Sequence, residues 1–252
     1  MAVNDSGRGY SPTPRGTGEP RLDHRPIEAR KLGCLRESCV KRVLDIAVAA
    51  TALTFLAPFF GLLVLIVRLD SPGPTFFSQR RVGRHGIVFT LWKVRSMYEG
   101  SSQSLHHQAS VDWFDERRNG RRYKSDVDPR VTRVGRFLRL SSFDELPQLW
   151  NVLKGEMSLV GPRPVMDYER CHFVGWHFER EIVRPGITGL WQVSGRDRLS
   201  APEMLALDLE YVRSRSFWLD MKILARTVPA VLGELRSKRA SREPELRPQP
   251  RA

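Results

Sequence analysis

The sequence predicts an α-rich α/β protein that attaches to a membrane through one helix near its N-terminus. Three observations predict this class. Residues 46–67 form an uncharged apolar run, IAVAATALTFLAPFFGLLVLIV. Short β-type runs follow at 76–77 and 87–92, bounded by turn residues. Apolar residues then recur at helical spacing in 134–153 and 217–232.

Composition excludes several classes of protein. The 252 residues include 41 Lys and Arg against 28 Asp and Glu, a net charge of +13. A hydrophobic content of 41% excludes wholesale disorder, and the negative mean hydropathy excludes a polytopic membrane protein. Three cysteines exclude a disulfide-rich secreted scaffold and agree with a reducing cytoplasm. The basic excess fits nucleic acid, an anionic membrane surface or phosphorylated substrates, and composition does not choose among them.

The chain divides into four segments. Residues 1–40 and 234–252 are polar, rich in Pro and Arg, and predicted to be disordered tails. Between them lie a membrane helix at 41–70 and a folded domain at 71–233. Residues 1–41 hold eight basic and five acidic residues, and residues 234–252 hold six and three, so the middle retains +7. The folded domain itself is therefore basic. Within it, 98–127 is predicted to be a polar loop with a short helix near 111–116.

The apolar run at 46–67 would be about 33 Å long as a helix, enough to cross a hydrocarbon core of ~30 Å. A buried core helix is the alternative. Pro58 near its middle removes a backbone hydrogen bond. Its flanks are basic on both sides, with Lys41 and Arg42 before it and Arg68 after it. Since basic flanks favour the cytoplasmic side, a helix that bends at Pro58 and returns explains both features. Pro58 and the basic flanks alone favour a re-entrant helix and a spanning helix about equally.

A second pattern concerns residues 217–232, which are amphipathic. They predict either an ordinary helix that faces the core or a helix that lies in the membrane interface.

Asp144 and Glu145 are adjacent acids between Phe143 and Leu146. Burying two acids in an apolar helical stretch requires a partner, which could be Arg139 or a divalent cation. Neighbours on a helix point about 100° apart, which predicts separate roles. An aspartate can attack phosphorus as a nucleophile. The alternative is a surface acid pair that stabilises a helix start. We expect a break or a new helix start at Pro147.

Basic residues form a second candidate set, because arginine suits bidentate phosphate recognition. Three of them adjoin a Pro or Gly that fixes the local backbone. Solvated surface arginines are the alternative for each. Neither a P-loop nor a GxGxxG motif is present, and the histidines and cysteines lack zinc-ligand spacing. The set comprises Lys93, Arg95, Arg130, Arg133, Arg136, Arg139, Arg163, Arg184 and Arg196.

Several longer blocks carry a resemblance that covers about residues 40–232. They are KRVLDIAVA, SPGPTFFSQRRVG, LWKVRSM, DPRVTRVGRFLRLSSFDELPQLWNVLKGEMSLVGPRP and RPGITGLWQVSGR. In this order and spacing, the chain resembles the bacterial sugar transferase family, the monotopic polyprenyl-phosphate phosphoglycosyl transferases that initiate exopolysaccharide and glycan synthesis. The resemblance implies a small α/β catalytic domain at 71–233, with a re-entrant helix and amphipathic interfacial helices. It also implies that the protein is attached to the bacterial inner membrane, with the catalytic domain on the cytoplasmic face. The family breaks its helix at Ser-Pro, where this chain has Ala57-Pro58.

The resemblance also implies a mechanism. Asp144 would attack the β-phosphate of a nucleotide diphosphate sugar, with UDP expected, and polyprenyl phosphate would then accept the sugar phosphate. Glu145 would assist, and Asp144 and Glu145 would bind Mg²⁺. The implied phosphate-binding residues are Lys93, Arg139, Arg163 and Arg196.

Some questions stay open at this level. The identity of the sugar and the oligomeric state are not readable from the sequence. A non-enzymatic membrane adaptor for an anionic partner is the rival hypothesis. A nucleic-acid binder would need a reading helix or an RNP-type motif, which is absent.

Overall fold

The computed structural model describes residues 39–101, 107, 113 and 128–240. Residues 1–38 and 241–252 of the predicted tails, and the predicted 98–127 loop with its 111–116 helix apart from residues 98–101, 107 and 113, lie outside the described residues. The disorder also predicted for 39–40 and 234–240 is wrong, because helices begin at Cys39 and extend to Ala240. In chain order the elements are α1 Cys39–Asp70, β1 Phe76–Val82, β2 Val88–Val94, α2 Arg133–Ser141, α3 Gln148–Lys154, β3 Ser158–Val160, α4 Asp167–Arg170, β4 Gly186–Thr188, α5 Leu190–Ser194, α6 Ala201–Ser214 and α7 Phe217–Ala240. Single 3₁₀ segments lie at Arg84–Gly86, Phe143–Glu145, Gly175–Ile182 and Arg196–Arg198.

Two small sheets accompany the helices. β1 and β2 form an antiparallel hairpin in which Phe76 lies opposite Val94. This confirms the two strands predicted at 76–77 and 87–92. β3 and β4 pair in parallel, with Ser158 opposite Gly186. The helix-rich architecture with small sheets agrees with the predicted α/β class.

Helix α1 runs for 32 residues and contains Pro58. Among the described residues, α1 is the one helix long and apolar enough to cross a membrane. Its apolar residues are largely exposed: Phe55 keeps 79% of its surface and Leu65 keeps 55%. A core helix would bury such residues, so the buried-core alternative is wrong.

One face of α1 nevertheless contacts the folded domain along the whole helix. The contacting residues recur at three- and four-residue spacing, which is the spacing of a single helix face. The opposite face carries the exposed apolar side chains. The domain-facing residues are Arg42, Asp45, Ala49, Leu53, Leu56, Phe60, Leu63 and Val67.

The N-terminal end of α1 is held by charged side chains. Lys41 Nζ donates to Asp220 Oδ2 of α7 at 2.6 Å. Buried Asp45 accepts hydrogen bonds from the Ser158 hydroxyl at 2.7 Å and from the Leu159 backbone N–H at 3.1 Å. These contacts tie the first turns of α1 to β3 and α7.

The C-terminal end of α1 is held by Arg95, which directly follows β2, and by α2. Buried Arg95 donates to the backbone carbonyl oxygens of Ser71 at 2.5 Å and Pro72 at 2.7 Å. The Val134 N–H donates to the Asp70 carboxylate at 3.3 Å. Both ends of α1 therefore contact the same domain.

Helix α7 begins at Phe217, as the pattern predicts, and continues to Ala240. Ile223 is buried against the core, so the core-facing interpretation holds for one side. Trp218 keeps 78% of its surface and Val228 keeps 63%. Since α7 also packs against α2 and α5, it exposes apolar side chains beside the elements that form the candidate site.

Candidate active site

The two adjacent acids lie in a turn between α2 and α3. Ser142 ends α2 in the left-handed conformation, with φ 60°, and its N–H donates back to the Leu138 carbonyl. Phe143–Glu145 then form one 3₁₀ turn, and Pro147 caps the start of α3. The helix start predicted at Pro147 is confirmed. The apolar spacing did not predict the earlier break at Ser142. Because of this break, the acids lie in a turn and not inside a helix.

Asp144 is buried, with 7% of its surface exposed, although it lies in a short turn. Glu145 is less buried, and its carboxylate accepts from Lys93 Nζ of β2 at 2.7 Å. The separate roles expected for the two acids are consistent with these different surroundings. Glu145 thus has a cationic partner, Lys93, that the sequence did not suggest, whereas the Arg139 that it did suggest donates to Ser96.

Arg139 and Arg196 have different contacts, which involve residues that flank the turn or lie just after β2. Arg139 belongs to the last turn of α2, and its Nε donates to the Ser96 hydroxyl at 3.0 Å. Arg196 lies just beyond α5 with a left-handed φ of 51°, and its Nη2 lies 3.5 Å from the Ser142 hydroxyl. Lys93 therefore contacts Glu145 itself, and Arg196 contacts Ser142, the residue that precedes the turn.

Arg163 has different contacts. Its Nη2 lies 3.6 Å from Glu169 Oε1, and Arg81 approaches the same fully buried carboxylate, also at 3.6 Å. The guanidinium lies over the rings of both Trp113 and Trp191, 5.9 and 5.8 Å from their centroids. Of the four predicted phosphate-binding residues, Lys93 and Arg196 contact the turn or the residue before it. Arg139 lies on the last turn of α2 and contacts Ser96, and Arg163 belongs to a separate buried cluster at Glu169.

Three other candidate arginines have structural partners. Arg95 caps the end of α1, as described above. Arg184 donates to the Gly155 carbonyl at 2.7 Å, and burial lowers its pKa. Arg130 binds Asp128 at 2.7 Å, and this hydrogen bond lowers the pKa of Asp128.

Two features of the site escaped the sequence patterns. Gly135 lets α2 lie directly against Ser96, since a Cβ at this position would overlap the Ser96 carbonyl oxygen. Ser96 in turn orients Arg139. The sequence signal that could have located the start of α2 is the N-cap pattern Thr132-x-x-Gly135. In the structure the Thr132 hydroxyl accepts from the Gly135 N–H at 2.9 Å.

Aromatic side chains connect the turn to α1. Phe143, which directly precedes Asp144, meets Phe59 edge-to-face with ring centroids 5.5 Å apart. Phe59 directly follows Pro58. Phe143 also meets Phe137 of α2 at 6.1 Å. The middle of the apolar helix therefore contacts the acidic turn directly, through Phe59 and Phe143.

Metal binding has one suitable donor set at this turn. Among the described residues, no group of three or more His, Cys, Asp or Glu is placed to hold a metal ion. Mg²⁺ is commonly bound through one or two carboxylates together with substrate phosphates. The oxygen donors of Asp144 and Glu145 fit that mode of binding.

Known proteins with similar sequences identify the family to which this chain belongs. A family model described as bacterial sugar transferase matches residues 36–234. The chain belongs to the bacterial sugar transferase family. This membership confirms the resemblance and the expectation that the chain is an enzyme, a transferase.

Three relatives illustrate the family. The exopolysaccharide production protein ExoY of Rhizobium meliloti is 40% identical over 193 residues, which cover 76% of this chain and 84% of that protein. The UDP-glucose:undecaprenyl-phosphate glucose-1-phosphate transferase of Caulobacter vibrioides is 41% identical, covering 76% and 69%. The UDP-galactose-lipid carrier transferase of Erwinia amylovora is 41% identical, covering 77% of this chain and 40% of that protein. This bacterial sugar transferase thus spans less than half of the Erwinia amylovora relative and most of the other two.

Proposed function

We propose that this bacterial sugar transferase moves a sugar 1-phosphate from a nucleotide diphosphate sugar to polyprenyl phosphate. The observation that carries the proposal is the buried Asp144 carboxylate, in a turn whose Glu145 pairs with Lys93 and whose Phe143 packs on an exposed apolar helix. A phosphoryl acceptor that is a lipid requires both surroundings at one place. The printed names of relatives that act on undecaprenyl phosphate support the same reaction.

In the first step, a carboxylate oxygen of Asp144 attacks the β-phosphorus of the donor. The bond from that phosphorus to the bridging oxygen breaks, and the oxygen leaves with its electron pair as nucleoside monophosphate. The sugar phosphate is then held on Asp144 as an acyl phosphate. Burial favours this role because a carboxylate with little hydration is a better nucleophile.

In the second step, a phosphate oxygen of polyprenyl phosphate attacks the same phosphorus. The bond to Asp144 breaks, its electron pair returns to the carboxylate, and polyprenyl-diphospho-sugar is released. No proton is gained or lost by the protein over the two steps. Step two restores the enzyme, so Asp144 acts catalytically.

The surrounding side chains position and neutralise phosphate. Arg139 and Arg196 would contact the donor diphosphate, with Arg163 a further candidate through the cluster at Glu169. Lys93 fixes the Glu145 carboxylate through the 2.7 Å ion pair. Asp144 and Glu145 would hold Mg²⁺, which when bound supplies positive charge against the diphosphate and the leaving group.

The protein is proposed to work at the cytoplasmic face of the bacterial inner membrane. Both ends of α1 contact one domain, which favours a helix that enters and leaves the membrane on the same side over one that spans it. The exposed apolar residues of α1 would lie in lipid. Helix α7 would lie at the membrane interface, with its exposed apolar side chains turned toward the lipid. The basic surface then serves anionic lipid and phosphorylated substrates together.

An assay of nucleotide release tests the reaction. Purified full-length protein in detergent is incubated with Mg²⁺, undecaprenyl phosphate and a panel of UDP-sugars. The expected result is release of UMP with at least one sugar, and loss of that release in Asp144→Asn. Asp167→Asn, which changes an exposed aspartate on α4, is the matched control and retains activity. Unchanged release in Asp144→Asn would remove the proposal.

A further inference from the structure

The rings of Phe59, Phe143 and Phe137 form a continuous strip that begins at α1 and ends on the surface of α2. Phe59 and Phe143 are edge-to-face at 5.5 Å, and Phe143 and Phe137 at 6.1 Å. Phe59 and Phe143 are partly buried against the same core cluster, whereas Phe137 keeps 58% of its surface. We call these three residues the aromatic strip.

The aromatic strip is continuous with the outward face of α1. On a helical projection, Phe59 lies at the border between the domain-facing side and the exposed side that carries Phe55 and Leu62. Phe55 keeps 79% of its surface and Leu62 keeps 54%. An apolar path therefore runs from the face of α1 that would contact lipid to the residue that precedes Asp144.

An exposed phenylalanine on a short basic helix needs an explanation. Helix α2 exposes Phe137 between Arg136 and Arg139, and α2 does not bury Phe137 against the core. Large exposed apolar side chains that adjoin polar ones mark binding surfaces. Because exposed Arg133 precedes Phe137 by four residues, a positive group and an aromatic group lie on one helix face, and the surface suits a ligand with an anionic head and an apolar chain.

We infer that the aromatic strip binds the first isoprenoid units of the polyprenyl phosphate acceptor and so delivers its phosphate to Asp144. This inference rests on the proposed function. The chain would leave the bilayer along α1, cross Phe59 and Phe143, and place its apolar units against Phe137. The strip thus makes the acceptor step depend on apolar contact, while the donor step depends on the cations around the turn.

A kinetic experiment in detergent solution, without a bilayer, separates acceptor binding from membrane binding. The acceptor is farnesyl phosphate, and the donor is the UDP-sugar that gives UMP release with the unmodified protein. In Phe137→Ala, the KM for farnesyl phosphate rises about tenfold. The UMP burst formed without acceptor changes much less than that. Phe137→Leu, which keeps apolar volume, recovers most of the affinity.

The matched control is Ile87→Ala in the β1–β2 hairpin, where the side chain is 68% exposed and far along the chain from the strip. Its KM stays within twofold of the unmodified value. A KM unchanged in Phe137→Ala, with a normal UMP burst, overturns the inference and leaves the proposed function standing. Loss of binding of Phe137→Ala to phosphatidylglycerol vesicles with an unchanged KM also overturns it, because the strip then contacts only the bilayer. Absence of UMP release from the unmodified protein overturns both.

Discussion

Lys93 and Glu145 form a 2.7 Å ion pair that joins strand β2 to the turn carrying Asp144. Their side chains keep 24% and 27% of their surfaces, so the pair lies at the edge of the site and not in the core. The ion pair fixes the second acid of the turn while the first remains buried. The hairpin of β1 and β2 therefore helps to position the acidic turn.

Lys93→Met removes the positive charge that orients Glu145. We expect kcat to fall about 10- to 100-fold, since small displacements of positioned groups cost that much. Stability should change by only about 1 kcal/mol, because a partly exposed pair contributes little. UMP release and thermal unfolding measure the two effects.

The control for this change is Lys154→Met, which removes the cation of another pair, Lys154 with Glu156 at 2.9 Å. Its activity should stay within about twofold. Equal loss of activity in both variants would contradict a specific role for Lys93.

Gly135→Ala tests the close packing of α2 on Ser96. Helix propensity alone favours alanine over glycine by about 1 kcal/mol. The added Cβ would overlap the Ser96 carbonyl oxygen, so we expect a loss of about 1–3 kcal/mol instead. Arg139 should lose its contact with Ser96, and activity should fall as well.

The matched control is Gly61→Ala in α1, where no atom lies within 4 Å of the new Cβ. Thermal unfolding in detergent should show no loss for this variant. Stabilisation by Gly135→Ala would mean that α2 does not pack on Ser96 as described.

Asp208 makes stability depend on pH. Its carboxylate pairs with Arg180, yet complete burial outweighs that attraction and raises its pKa to about 6. Since the unfolded group titrates near 3.8, the folded protein binds the proton more tightly, and stability from this group is greatest below pH 3.8. It falls as pH rises to about 6, by at most about 3 kcal/mol.

Comparison with Asp208→Asn isolates this effect, since asparagine does not titrate. The difference in unfolding free energy, unmodified protein minus variant, should fall between pH 4 and 6 and stay level from pH 7 to 8. Asparagine also leaves Arg180 without its charged partner, so the variant is less stable overall. A difference that rises between pH 4 and 6 would show that the pKa of Asp208 is lowered.

Cysteine labelling tests the disposition of α1. Cys39 at the start of α1 and Cys171 in the domain are both exposed. Cys34 lies outside the described residues, and Cys34→Ser leaves these two thiols alone in the chain. In intact bacterial cells, an impermeant maleimide should label neither, and both should react after permeabilisation. Labelling of Cys39 alone from outside would show that α1 spans the membrane.

The sequence patterns predict the elements that repeat locally. The apolar run identified α1, short β-type runs bounded by turn residues identified the two strands of the hairpin, and amphipathic spacing identified α7. They did not predict the parallel pairing of β3 with β4, because each strand has three residues and shows no periodicity. Such pairing depends on contacts that are distant in sequence, which propensity does not encode.

The same limit applies to the site. Asp144 and Glu145 are adjacent in sequence, and their pattern is visible at once. Lys93 lies 52 residues before Glu145, and only the fold brings them together. The left-handed Ser142 was missed because serine in that conformation has no strong local signal. The aromatic strip likewise joins residues from three segments.

The covalent phosphosugar on Asp144 is the central claim, and mass spectrometry tests it most directly. Full-length protein is incubated with Mg²⁺ and the active UDP-sugar but no acceptor, quenched in acid and digested. We predict that the peptide containing Asp144 gains the mass of one sugar phosphate, and that polyprenyl phosphate removes it. Asp144→Asn should show no such mass. An unmodified peptide during rapid UMP release, or a sugar phosphate on another residue, would contradict the account.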